Sequence, residues 1–186
     1  MFKPKFVKLT LRSFSALNSA YLTAAIDLMF KHQKALFEDF LNFTAENRLA
    51  KGLELIQHFS PFFWAVINPQ TAELAGIVYL YNVVGGYIPA AKNPKILHSA
   101  YVSVCFKHKY WGNFVLKAQK SFLRYVFGKL KFYKLFAEIY ANNPLGRRFA
   151  EKAGFLPICK HKSQTLKNGA LADTILYEKV RNNTNI

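Results

Sequence analysis

The stretch whose reading decides the fold runs Ala100-Tyr101-Val102-Ser103-Val104-Cys105-Phe106-Lys107-His108-Lys109-Tyr110-Trp111-Gly112-Asn113-Phe114. Its first seven residues are strand-like and mostly apolar, and they end at three basic side chains, Lys107, His108 and Lys109. From Phe114 the period changes. Phe114, Val115, Ala118, Phe122, Tyr125 and Val126 fall on one face of a helix, and Lys117, Lys120 and Arg124 on another. Strand, tight turn and helix N-terminus together aim backbone N–H groups and the positive end of a helix dipole at one place. An anion, typically a phosphate, suits that place.

Working outward, Tyr133 to Tyr140 reads as a second strand, Asn143-Pro144 opens a helix, and Gly154 closes it before Phe155. This order resembles the Gcn5-related N-acetyltransferase (GNAT) fold. The family's pyrophosphate loop is Gln or Arg, two residues, Gly, one residue, then Gly or Ala. Here Lys109 stands first, Gly112 is the central glycine and Phe114 replaces the small residue. The family's Asn-x-x-Ser…Glu-Lys-x-Gly-Phe is similar to Asn143, Gly146, Glu151, Lys152, Gly154 and Phe155, with Gly146 for the serine. The spacing and the Trp-Gly opening look most like the branch that modifies ribosomal-protein N-termini and like acyltransferases carried by phages. The resemblance covers roughly the second half of the chain.

The resemblance implies an α/β (α+β) fold: a mixed, mostly antiparallel twisted sheet of six to seven strands with helices on both faces. Length and composition make the chain one domain over residues 1–180, with the polar 181–186 expected as a frayed tail. The resemblance implies acetyl-coenzyme A as cofactor and an amine-bearing acceptor, whether a protein N-terminus, a lysine or a small molecule. The cofactor contacts would come from Val104 and Phe106 at the cleft, from Lys109, Tyr110, Trp111, Gly112, Asn113 and Phe114 at the pyrophosphate, and from Asn143 and Arg147 beyond. Asn143 followed by Pro144 also satisfies ordinary helix capping, and the two readings are compatible.

Amine acylation needs the amine deprotonated and held against a thioester, so a base is useful and proximity supplies much of the remainder. Histone-acetylating members of the family carry a carboxylate eleven positions before the first residue of the loop motif. Counting back (109 − 98 = 11) lands on His98, an imidazole suited to that proton. The competing reading is that His98 only ends a Lys92–Leu97 loop. Many members have a tyrosine immediately before Glu-Lys; this chain has Ala150, so Tyr140 is the substitute candidate for the acid, with solvent as the alternative.

Composition bounds the rest. At 186 residues and 52% apolar the chain has enough length for one real core, and its net charge of +16 attracts polyanions: coenzyme A, nucleic acid or anionic lipid. Two readings of another class therefore stand beside the transferase: a catalytically weakened binding module on the same scaffold, and a basic nucleic-acid binder. Cys105 and Cys159 have no CxxC or histidine at ligand spacing, so free thiols and no metal are expected. The start of the chain lacks a signal-peptide pattern, and Ala75–Ala91, broken by Asn82, Gly85-Gly86 and Pro89, suits strands better than a membrane span. A cytoplasmic location follows as an expectation.

The remaining elements follow from period and punctuation. Lys5–Leu11 alternates as a strand, and Ser13 to about Ile56 is helical with breaks near Lys31 and Phe43. Phe62–Asn68 and Glu73–Asn82 form a hairpin, Val83–Pro94 reads as a loop, and Leu156–Gln164 and Asp173–Val180 flank an Asn168-Gly169 turn.

Overall fold

The computed structural model describes residues 3–9, 16–37, 43–87 and 96–181. The described residues hold seven strands and five helices. The strands are β1 (Lys5–Lys8), β2 (Phe63–Ile67), β3 (Leu74–Tyr87), β4 (Ile96–Phe106), β5 (Phe132–Tyr140), β6 (Leu156–Lys167) and β7 (Ala170–Val180). The helices are α1 (Ala16–Lys31), α2 (Gln33–Leu36), α3 (Arg48–Phe59), α4 (Asn113–Gly128) and α5 (Pro144–Lys152). The strands make one sheet in the order β1-β2-β3-β4-β5-β7-β6. It is mixed, with β4 and β5 parallel and β1–β2, β2–β3 and β5–β7 antiparallel.

The chain packs as two compact units. The first holds residues up to Leu80 with Ser103–Ala118 and Leu166–Ala170; the second holds Tyr81–Val102, Gln119–Thr165 and Leu171 onward. In the first unit β2, sequence Phe-Trp-Ala-Val-Ile, is buried along its whole length, as a strand covered on both faces must be. Ala25, Ile26 and Met29 of α1 and Leu55 and Ile56 of α3 add to that core. The end of β4 lies hard against β3. A Cβ at Gly76 would stand 2.5 Å from the Cys105 carbonyl oxygen and 2.5 Å from the Phe106 ring, so only glycine admits this approach. Next to it, the Lys107 N–H donates to the Ala75 carbonyl at 2.9 Å. The strand that leads into the basic turn is thereby fixed where the turn begins.

In the second unit β5 carries the register. It pairs with β4 from His98↔Phe132 to Tyr101↔Phe136, and with β7 from Lys134↔Val180 to Tyr140↔Thr174. Phe132 and Leu135 of β5 and Tyr177 of β7 are buried. α5 starts as its sequence dictates: Asn143 is the N-cap, Pro144 the first helical residue, and the Asn143 side chain accepts the Gly146 N–H at 2.9 Å. Losing such a cap costs about 1 kcal/mol. At the β6–β7 turn Asn168 and Gly169 take φ of 51° and 74°, the left-handed pair that a two-residue hairpin turn demands.

Several boundaries differ from the sequence reading, three of them in the stretches that lead to the site. Val83–Tyr87 continues β3 rather than starting a loop, because its β-branched and aromatic residues favour extended backbone and the glycines permit it. Asn82 at φ 48° and the exposed Val83 and Val84 show that this part of the strand leaves the core. Ile96 and Leu97 begin β4 instead of ending a loop, and β1 stops at Lys8, although the Leu9 N–H still reaches the Phe63 carbonyl at 3.0 Å. The expected end of the first strand and start of the first helix (residues 10–15), the break before Phe43 (38–42), most of the expected loop (88–95) and the tail 182–186 lie outside the described residues.

Candidate active site

In the first unit, β4 ends at Phe106 and the chain makes a short 3-10 turn, His108–Tyr110, before α4. The turn is closed internally: the Tyr110 N–H donates to the Lys107 carbonyl and the Trp111 N–H to that of His108, both at 3.0 Å. Gly112 takes φ +92°, a conformation that L side chains rarely adopt, and its carbonyl accepts the Leu116 N–H at 3.1 Å. It is therefore the residue from which α4 departs. A helix N-terminus carries the positive end of the helix dipole, and no acidic residue in the first turn of α4 quenches it. A Cβ on Gly112 would meet nothing within 4 Å, so the space beside this residue is open. That geometry fits a phosphate group on backbone grounds.

The side chains divide the work differently from the expectation. Asn113 is exposed at the head of α4, and Trp111 is half-exposed, its indole Nε1 donating to the Phe106 carbonyl at 3.1 Å. The Trp111 amide is used inside the turn, so it is not free to meet a ligand there. Tyr110 is buried and packs on Phe114, centroids 5.1 Å apart. Lys109 is engaged by a residue that no motif singles out: its Nζ lies 2.7 Å from Glu73 Oε2, and the Tyr110 hydroxyl donates to that same oxygen at 2.7 Å. The Lys109 hydrogen bond, then that of Tyr110, pulls the Glu73 carboxyl down to about 2, and Glu73 in turn raises Lys109. Val104 is partly exposed and Phe106 buried; between them, burial pushes the Cys105 thiol up to about 12.

In the second unit, His98 opens the β4–β5 pairing with its ring 5.6 Å from that of Phe132, and its Nδ1 is buried without a hydrogen-bond partner. Tyr140 ends β5, its carbonyl accepting the Asn143 N–H at 2.9 Å. Arg147 sits in the first turns of α5, and its Nε is likewise buried without a partner, an orphaned cationic donor that fits an anionic ligand group. A further cluster was not legible in the sequence. Glu138 Oε1 accepts the buried Thr174 hydroxyl at 2.6 Å and lies 3.4 Å from His161 Nδ1. Glu73 and Glu138 have partners 23 to 37 positions away, which no local spacing can reveal. Among the described residues no group of His, Cys, Asp or Glu could hold a metal ion, and both cysteines are free.

Residues 9–156 match the family model described as an acetyltransferase (GNAT) domain. The chain belongs to the GNAT acetyltransferase family. Members of this family take their acetyl group from acetyl-coenzyme A. No curated protein matches the sequence. Among solved structures, this GNAT chain is similar to a ribosomal-protein-S5-alanine acetyltransferase from Vibrio fischeri: TM-score 0.70, 17% identity, 97% of this chain and 94% of that one covered. It is also similar to a GNAT-family acetyltransferase from Bacillus anthracis, with TM-score 0.67, 14% identity and coverage of 97% and 98%. A spermidine N-acetyltransferase from Vibrio cholerae, solved with CoA and spermine, aligns at TM-score 0.67 and 18% identity over 96% and 95%. At these identities the likeness speaks for the fold. No helix among the described residues is long and apolar enough to cross a membrane.

Proposed function

We propose that the chain is an acetyl-coenzyme A-dependent N-acetyltransferase acting on a primary amine. The observation that carries the reading is the turn in which Gly112, at φ +92°, starts α4 with open space beside it, in a chain of this family. Gly112, Asn113 and Phe114 would give backbone N–H groups to the pyrophosphate, within the positive field of Lys107, His108 and Lys109. Val104 and Phe106 at the end of β4 would flank the pantetheine arm, Tyr110 and Trp111 would shape the turn, and Asn143 and Arg147 would add polar contacts.

The bound cofactor supplies an acetyl thioester, so transfer forms an amide C–N bond, breaks the C–S bond and leaves a free thiol. His98 is the candidate to take the amine proton and Tyr140 to return one to the sulfur. Holding the amine in line accounts for much of the remaining rate. The net charge of +16 works against a free polyamine, so an amine on a peptide or a small molecule is the better acceptor class.

A thiol-release assay with acetyl-coenzyme A tests this directly, using a panel of peptide N-termini, lysine peptides, small amines and spermidine. Amine-dependent release, weakest with spermidine, supports the reading; no release with any amine, despite cofactor binding, leaves a binding module in its place.

A further inference from the structure

We propose that Glu73 is a positioning residue for the cofactor turn: its carboxylate latches Lys109 and Tyr110, so that Lys109 sets the turn's shape rather than gripping phosphate. The proposal rests on the reading of this turn as the pyrophosphate site. Glu73 stands just before β3, at the end of the link from β2. One of its oxygens, Oε2, receives both the Lys109 ammonium and the Tyr110 hydroxyl at 2.7 Å, the short distance of charge-assisted bonds. The Thr71 hydroxyl stands 3.5 Å from the same oxygen and 3.5 Å from the Tyr110 hydroxyl. The Lys109 ammonium also lies 5.2 Å from the centre of the Tyr110 ring.

An isolated exposed ion pair adds little, but this one is tied to a buried ring and backed by a backbone bond. The Lys107 N–H holds Ala75 on one side of the turn, while Lys109 and Tyr110 hold Glu73 on the other. The turn is therefore grasped at both ends by the start of β3, just ahead of Gly112. Fixing it before the ligand arrives spares the ordering cost that binding would otherwise carry.

A mere surface partner would behave in the opposite way. Neutralising such a partner would free the Lys109 cation and remove a negative charge near a pyrophosphate, and binding would tighten. A latch predicts that binding weakens.

The experiment compares wild type with Glu73→Gln, Lys109→Ala, the double variant and Tyr110→Phe. Acetyl-coenzyme A affinity is read by calorimetry, steady-state kinetics are measured, and hydrogen exchange is followed at the turn's bonded amides, Lys107, Tyr110 and Trp111. The latch predicts that each single charge variant weakens binding by up to about fivefold, the size expected for an exposed charged contact, and that the double variant is no weaker than either. The loss falls on KM for the cofactor rather than on kcat, exchange at the turn amides rises, and Lys109→Arg retains the affinity. Unchanged or tighter binding in Glu73→Gln with unaltered exchange overturns the proposal. If wild type binds no acetyl-coenzyme A, the pyrophosphate reading fails on its own, and exchange alone decides the latch: faster exchange in Glu73→Gln upholds it, unaltered exchange overturns it.

Discussion

Phe114 lays its ring against Tyr110, centroids 5.1 Å apart and planes inclined by 43°, and meets Phe106 edge-on at 6.5 Å. The family places a small residue at this position of the loop. Here the phenyl group joins an aromatic cluster with two buried neighbours. Phe114→Ala should therefore lower unfolding stability in urea by about 2 kcal/mol, less than a fully buried Phe because the ring is half-buried. It should not improve acetyl-coenzyme A affinity. Tighter binding in the variant would mean that the ring obstructs the phosphate approach.

Acid should dissolve the Glu73 contact in a defined direction. Its carboxyl is held at about 2 against an ordinary 4.5, chiefly by the Lys109 hydrogen bond. A depressed carboxylate contributes stability that is present above the unfolded value and lost as pH falls through the folded one. The stability difference between wild type and Glu73→Gln should be constant near neutral pH and shrink between about pH 4.5 and 2. Urea unfolding across that range measures it; a difference that stays level to pH 2 would show that the carboxylate is not paired in solution.

The two thiols should separate cleanly. Cys105 is pushed up to about 12 by burial, whereas Cys159 is exposed on β6. Thiolate is the reactive species, so at pH 8 one equivalent should react quickly with a thiol reagent and the second only on unfolding. Cys159→Ser should abolish the fast phase. Two fast equivalents in the native protein would contradict the packing of β4 against β3.

His98→Ala should lower kcat by roughly 100-fold or more if the imidazole takes the amine proton, with acetyl-coenzyme A affinity retained. Its melting temperature must stay near that of wild type for the kinetics to count, because the ring also packs on Phe132. A change of only a few-fold would leave His98 as a packing residue with an unpartnered Nδ1 and pass proton removal to water or another group.

Much of the fold was legible because its signals are local. The apolar run into Lys107, the change of period at Phe114, the Asn143-Pro144 start of α5 and the Asn168-Gly169 turn each follow from neighbouring residues, and the structure has them all. The end of β3 was misread because glycine and polar punctuation outweighed the extended preference of Val83 and Val84. Glu73 and Glu138 escaped for a different reason. Each meets Lys109, Tyr110, His161 or Thr174 only when the sheet brings distant strands and turns together, and a lone acidic residue carries no local signal of such a partner. The positions at the turn were placed by resemblance, but what occupies Lys109 and where the Phe114 ring goes are tertiary facts.

Calorimetric titration of acetyl-coenzyme A into wild type and Gly112→Val tests the pyrophosphate site most directly. A Cβ there meets nothing within 4 Å, but the substitution loads a β-branched side chain onto a φ of +92° and disturbs the turn from which α4 departs. A cofactor site at this turn predicts saturable one-to-one binding by the wild type and a loss of at least about tenfold in a variant that still folds. No binding by the wild type, or unchanged affinity in a folded Gly112→Val protein, would contradict it.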